Sequence, residues 1–268
     1  MTRNEREPLK YSGIFFDSAN LEELKKWFDT KIIGGATTNP VILQKDNVFD
    51  IPGHVQKMIE ITGPNFPISI EVPDSRMSKD EMIDLALHYR DKFSGNAVIK
   101  IPMDPRDSQK AFEVMYKLGQ EGVRVNATLG LSMGQLVGAS EALRLSKADG
   151  DNYVSLFWGR REEAKKQIVE NLVSNNFNRE EANKIIPDAL STLTMTINYL
   201  QSHSLSSKII VGSVRSVDQI EAAFNGGADI VTIPPKLINE WMYTQRGIET
   251  ADQFNKAFED VQDKITLR

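Results

Sequence analysis

A closed (β/α)8 barrel is the fold class that this sequence predicts, and three observations predict it. Short β-branched or aromatic runs alternate with longer stretches of helical period, from after the first dozen residues to the end. The short runs number eight. No Ser/Gly/Pro-rich linker interrupts the series, so 1–268 reads as one domain. Periodicity alone is also compatible with an open, doubly wound sheet. Eight strands with crossover helices and no linker favour the closed form, with an additional helix at the C-terminus.

In chain order the expected strands are 13–17, 33–36, 67–72, 97–101, 123–126, 153–156, 208–212 and 229–232. Helical stretches fall at 21–28, 55–61, 79–93, 108–118 and 133–145, as a long pair across 161–200, at 217–225, and at the end over 250–266. Helix starts carry caps: Asn20 before Leu21, Ser78 with Glu81 three residues on as a capping box, and Ser216 before Val217. Glycines mark the stops, Gly119 and Gly122 before the fifth strand, Gly226 and Gly227 before the eighth.

Chemistry in such a barrel belongs at the C-terminal ends of the strands. The first strand ends on Asp17, whose bland reading is a helix cap. Asn39 follows the second, in a Thr-Thr-Asn-Pro turn whose side chains serve equally well for loop hydrogen bonding. In the third, alternation puts Ser69 and Glu71 on the face opposite Ile68, Ile70 and Val72, and in a barrel that face is the lumen. A carboxylate there costs several kcal/mol unless partnered or hydrated, which favours a functional role.

The fourth strand, Ala97-Val98-Ile99-Lys100-Ile101, surrounds one lysine with apolar residues. Lysine is almost never fully buried unpaired, so Lys100 is a chemical signal, with a snorkelling lysine or a structural ion pair as the bland alternatives. A lysine nucleophile needs its neutral amine, desolvation favours that form, and Schiff-base formation with a carbonyl is the chemistry it permits. Asn126 and Thr128 alternate at the end of the fifth strand. Ser155, Phe157 and Arg160 follow one another at the sixth, and Ser213 and Arg215 at the seventh. Two arginines with hydroxyls on neighbouring loops make a site for a phosphate or similar anion.

Composition limits the partners. With 40% hydrophobic and 26% charged residues the chain is an ordinary globular protein, and a net charge of -5 gives no reason to expect nucleic acid or an anionic membrane. There is no cysteine, hence no disulfide, thiolate nucleophile or cysteine metal site. The charged N-terminus, residues 1–7, lacks a signal-peptide apolar run, and no stretch approaches the roughly 20 apolar residues of a membrane span. A cytoplasmic location is therefore expected. The sequon Asn126-Ala127-Thr128 carries no weight without an export signal. No G-x-G-x-x-G or Walker-type loop occurs, and His54, His88 and His203 form no ligand cluster, which disfavours a metal-dependent aldolase or lyase; they read as surface residues.

The motifs Phe-Asp-Ser-Ala-Asn at 16–20, Thr-Thr-Asn-Pro at 37–40, Lys-Ile-Pro at 100–102, Asn-Ala-Thr at 126–128, Ser155 through Arg160, and Gly-Ser-Val-Arg at 212–215 resemble those of the transaldolases and fructose-6-phosphate aldolases. The resemblance implies a class I mechanism without metal or organic cofactor. It implies Lys100 as the Schiff-base lysine, Asp17 as acid/base at the C4 hydroxyl, and Glu71 with Thr128 as holders of a catalytic water. It further implies that Asn39, Asn126 and Ser155 bind the dihydroxyacetone portion, and that Arg160, Ser213 and Arg215 bind the terminal phosphate of a sugar phosphate such as fructose 6-phosphate. Transfer of a dihydroxyacetone unit to an aldose acceptor, in a homo-oligomer serving carbohydrate metabolism through the pentose phosphate pathway, is the expectation that follows.

Glutamate at 71 and phenylalanine at 157 side with the transaldolases, because the aldolases typically carry glutamine and tyrosine there. A catalytically dead sugar-phosphate-binding protein would not need Lys100, Asp17 and Glu71 together. Trp158, Gly130, Leu131 and the long segment 162–207 depart from the pattern, and an arginine pair binds a sulfonate nearly as well as a phosphate, so a sulfosugar donor stays open.

Overall fold

In a computed structural model, which describes residues 9–266, eight parallel strands close on themselves in sequence order. The strands are β1 (Ile14–Asp17), β2 (Gly35–Thr37), β3 (Ile68–Glu71), β4 (Ala97–Pro102), β5 (Val125–Gly130), β6 (Tyr153–Phe157), β7 (Lys208–Gly212) and β8 (Ile230–Ile233). The expected closed barrel is therefore borne out. The expected charged stretch 1–7 lies outside the described residues.

The strand ends differ where local pattern and tertiary pairing disagree. The second strand begins two residues later than its apolar run suggests, because Gly35 and Thr37 pair with Phe15 and Asp17. The fifth runs four residues further, through Thr128 to Gly130, held by Lys100↔Asn126 and Pro102↔Thr128 pairing. Its register against β6 shifts between Ala127 and Gly130, where Leu129 adopts a left-handed φ of 64°.

Helices wrap the barrel, and each of the three anticipated caps, Asn20, Ser78 and Ser216, starts one. Asn20 accepts from the Glu23 amide at 2.9 Å, and Ser78 with Glu81 forms the reciprocal capping box. The segment expected as a long pair divides into three helices, Trp158–Ser174, Arg179–Ile185 and Ala189–Ser202, since Asn178 and Asp188 each start a new one. Two short helices escape the periodicity, Pro40–Lys45 and Pro235–Met242, each opened by a proline at its first turn. The C-terminal helix expected over 250–266 is present but begins earlier, at Gln245 behind a Thr244 cap, and ends at Glu259, followed by one 3-10 turn, Gln262–Lys264.

Two apolar layers hold the barrel. The larger lies between strands and helices and includes Phe16, Ile68, Ile99, Leu118, Val154 and Val211. The smaller fills the lumen: Phe15, Val98, Tyr153, Ile210 and Ile230, with Leu9 and Tyr11 packed against it from below. Gly35 belongs to this packing, since a Cβ there would lie 2.4 Å from the Phe15 ring. The Tyr11 hydroxyl lies 2.6 Å from that of Tyr153 and donates to Asp151 at 2.8 Å. The lower half of the lumen is thus filled with side chains, and only the upper half is left for chemistry. Among the described residues no helix is long and apolar enough to cross a membrane.

Candidate active site

The lumen turns polar directly above its apolar plug. Alternation along the strands brings Asp17, Thr37, Ser69, Glu71, Lys100, Asn126 and Ser155 to the inner face, where β-register sets Glu71 beside Lys100 and Lys100 beside Asn126. Lys100 is only 4% exposed. Its Nζ lies 2.9 Å from Glu71 Oε2 and donates to the Thr38 carbonyl at 2.7 Å. The ion-pair reading and the chemical reading of this lysine thus meet in one geometry.

Asp17 is not a helix cap. Asn20 takes that role, while the Ala19 amide donates to Asp46 at 3.2 Å, so the loop after β1 leaves the Asp17 carboxylate free to face the lumen. The Thr37 hydroxyl donates to Asp17 Oδ1 at 2.6 Å and lies against the hydroxyl of Thr232. Burial pushes the Asp17 pKa up from its ordinary value, against the lowering by the Thr37 hydrogen bond and the Lys100 charge and with a smaller push from Glu71.

Asn126 is committed at both ends of its amide, donating to Ser69 Oγ at 3.1 Å and accepting from Ser155 Oγ at 2.6 Å. The Thr128 hydroxyl, two residues on, is buried with no hydrogen-bond partner among the described residues. Asn39 caps the helix Pro40–Lys45, accepting from the Ile42 amide at 2.9 Å, and also faces the mouth.

Over this floor opens a cavity of about 520 Å³. Asp17, Asn39, Glu71, Lys100, Ser155, Phe157, Arg160 and Ser213 line it, with Thr37 and Thr232 below and Val41, Ile42, Leu129 and Leu131 as an apolar wall. Asn126 and Thr128 sit beneath its surface, and Arg215 stands outside the lining. Both arginines are exposed and turned to one carboxylate: Arg160 Nη1 lies 3.2 Å from Glu163 Oε2, and Arg215 Nη1 donates to Glu163 Oε1.

Sequence reasoning passed over Thr37, Thr232, the apolar wall and Glu163. Thr37 lay one residue past the expected end of its strand. Glu163 reads as an ordinary helix-face partner of Arg160 until Arg215 arrives from another strand. Among the histidines, His88 and His203 are exposed, whereas His54 is half-buried, with Nε2 withdrawn from solvent. Among the described residues, no group of three or more His, Cys, Asp and Glu side chains is arranged to hold a metal ion.

Known proteins are similar in sequence to this chain over nearly its whole length. A probable transaldolase of Clostridioides difficile (strain 630) is 33% identical over 254 residues, covering 94% of this chain and 99% of its own length. Probable transaldolases of Nitrosopumilus maritimus (strain SCM1) and Exiguobacterium sp. (strain ATCC BAA-1283 / AT1b) are 32% and 30% identical, and each covers 88% of this chain. The family model described as Transaldolase/Fructose-6-phosphate aldolase matches residues 14–266, and the chain belongs to that family.

Proposed function

We propose that the protein is a transaldolase that moves a dihydroxyacetone unit from a ketose with an anionic terminus to an aldose, through an imine on Lys100. The observation that carries this reading is a nearly buried lysine amine, 2.9 Å from Glu71 at the floor of a 520 Å³ cavity that Asp17 also lines. Lys100 adds to the ketone, and the carbinolamine loses water to give a protonated imine. Glu71 and Thr128 hold and relay the water and its protons, for which the unpaired buried Thr128 hydroxyl is suited.

Asp17 then takes the proton of the C4 hydroxyl as the C3–C4 bond breaks, and the imine receives the electrons as an enamine. An upward-shifted carboxyl serves as such a base because its proton affinity lies nearer the operating pH. Asn126 and Ser155, locked to each other, with Asn39 at the rim, orient the three-carbon unit. Arg160, Ser213 and Arg215 receive the terminal anion.

Transfer is favoured over simple cleavage by Ile42, Leu131 and Phe157, half-buried apolar side chains of the wall that limit water's access to the enamine until an aldehyde arrives. The chain works as a homo-oligomer in this reading, supported by its last helix: none of the residues Gln245–Glu259 is buried, and Phe254 is 69% exposed.

Borohydride added with fructose 6-phosphate, in the presence of a chelator, is expected to leave a reduced adduct on the Lys100 peptide. No adduct with any ketose phosphate or ketose sulfonate would overturn the imine reading. Omitting the acceptor aldehyde is expected to suppress turnover. Dihydroxyacetone released at a comparable rate without acceptor would make the enzyme an aldolase instead.

A further inference from the structure

Thr232 belongs to none of the motifs that point to this site, yet it ends a chain of hydroxyls that leads to Asp17. Asp17 closes β1, which runs between β8 and β2, and each neighbouring strand contributes one hydroxyl to the chain. Thr37 of β2 is the register partner of Asp17 and donates to Oδ1 at 2.6 Å. Thr232 of β8 is paired in register with Phe15, one inward-facing position lower, and its hydroxyl lies against that of Thr37. Both threonines are buried. A hydroxyl carries a single proton. Thr37 gives its own to the Asp17 carboxylate, so the proton between the two hydroxyls comes from Thr232.

The surroundings hold Thr232 in that role. Phe15 and Ile230, the inner-facing residues beneath it, belong to the apolar plug, and among the described residues its hydroxyl has no other hydrogen-bond partner. Its methyl group faces β7, where a Cβ on Gly212 would stand 3.2 Å from Cγ2, and the branched side chain then keeps the hydroxyl on the β2 side. Were the chain reversed, with Asp17 donating to Thr37 and Thr37 to Thr232, the Thr232 proton would be left without a protein acceptor.

We infer that Thr232 is a positioning residue for the acid/base: by donating to Thr37 it keeps the hydroxyl chain directed at Asp17 Oδ1, so that protons are exchanged with the sugar at Oδ2. In the proposed transfer, Oδ2 takes the C4 hydroxyl proton as the C3–C4 electron pair passes to the imine and the aldehyde leaves. That proton waits on the cavity side until the enamine attacks the acceptor carbonyl, whose oxygen takes it back. Without Thr232, Thr37 is free to accept from Oδ1, and the acid form of Asp17 gains a hydrogen bond that points away from the sugar. Lys100 and Glu71, the titratable groups whose charges act on Asp17, stay paired with each other at 2.9 Å. The inference rests on the reading of Asp17 as the acid/base of a Lys100 transaldolase.

Thr232→Val keeps the branched shape and removes the hydroxyl, whereas Thr232→Ser keeps the hydroxyl. With fructose 6-phosphate as donor and erythrose 4-phosphate as acceptor, Thr232→Val is expected to lower kcat about tenfold at pH 7, the scale of one hydrogen bond, with KM within about twofold. The acid form of Asp17 gains a partner in this variant, so the acid limb of the kcat profile moves to higher pH and the loss is larger at pH 6 than at pH 8. Thr232→Ser is expected to recover most of the loss. Borohydride trapping of dihydroxyacetone on Lys100 requires no proton transfer from a C4 hydroxyl and is expected to proceed alike in all three proteins, which also shows that the variants fold. A kcat for Thr232→Val within about twofold of the wild type at every pH overturns the inference, as does a loss that is equal at all pH values or that serine does not recover. No adduct on Lys100 in the wild type sinks the imine reading instead.

Discussion

Asp17 and Glu71 both face the lumen beside Lys100, and their surroundings differ. Glu71 is tied to the lysine at 2.9 Å, whereas Asp17 receives a neutral hydroxyl and is held in a site that burial makes unfavourable for its charge. Because the folded-state pKa of Asp17 lies above its unfolded value, the native state carries a penalty at neutral pH. That penalty fades as pH falls toward the ordinary aspartate range. Asp17→Asn is therefore expected to unfold at a higher temperature than the wild type at pH 7, with the gap narrowing by pH 5, while turnover falls by roughly 10²–10⁴-fold. Paired thermal melts at the two pH values check the sign. Glu71→Ala removes the carboxylate that pairs with buried Lys100 at 2.9 Å and is expected to cost about 3–5 kcal/mol in urea unfolding, whereas Glu71→Gln, which keeps an acceptor, costs less.

On the scale of a strand or helix, glycine and caps decide how well the mouth is assembled. A Cβ at Gly159 would meet the Ser213 carbonyl at 2.6 Å, where the Gly159 amide now donates at 3.0 Å. Gly159→Ala is expected to pry the helix start from the loop after β7. Steady-state kinetics would then show KM rising for an anionic donor, with borohydride trapping of dihydroxyacetone on Lys100 retained. Ser78→Ala, outside the cavity lining, removes half of a capping box and is expected to cost about 1 kcal/mol without altering kinetics.

The same scale explains what could be read in the sequence. The seventh strand, 208–212, and the helix 217–225 were legible to the residue, because a buried β-branched run and a Ser216 cap are local signals. The true ends of β2 and β5 were not, since register with neighbouring strands fixes them. Lys100 and Glu71 stood out as charges among apolar residues, but the Glu163 bridge joins groups 52 residues apart, and no local pattern announces it.

For the molecule as a whole, the last helix carries a prediction. Ile248, Phe254 and Phe258 are exposed on an amphipathic helix, an arrangement that a second copy would cover. Phe254→Glu is expected to lower the assembly state in sedimentation experiments while leaving the monomer folded. A monomeric wild-type protein would remove the homo-oligomer from the proposal. The apolar plug of Phe15, Val98, Tyr153, Ile210 and Ile230 has a consequence in time rather than in space. A lumen stoppered at one end has one doorway, so the aldehyde split from the donor must leave before the acceptor can enter by the same route. For the proposed transfer this dictates a strict order of events: initial-rate plots at several fixed acceptor concentrations should be parallel lines, and the departing aldehyde should compete with the incoming one.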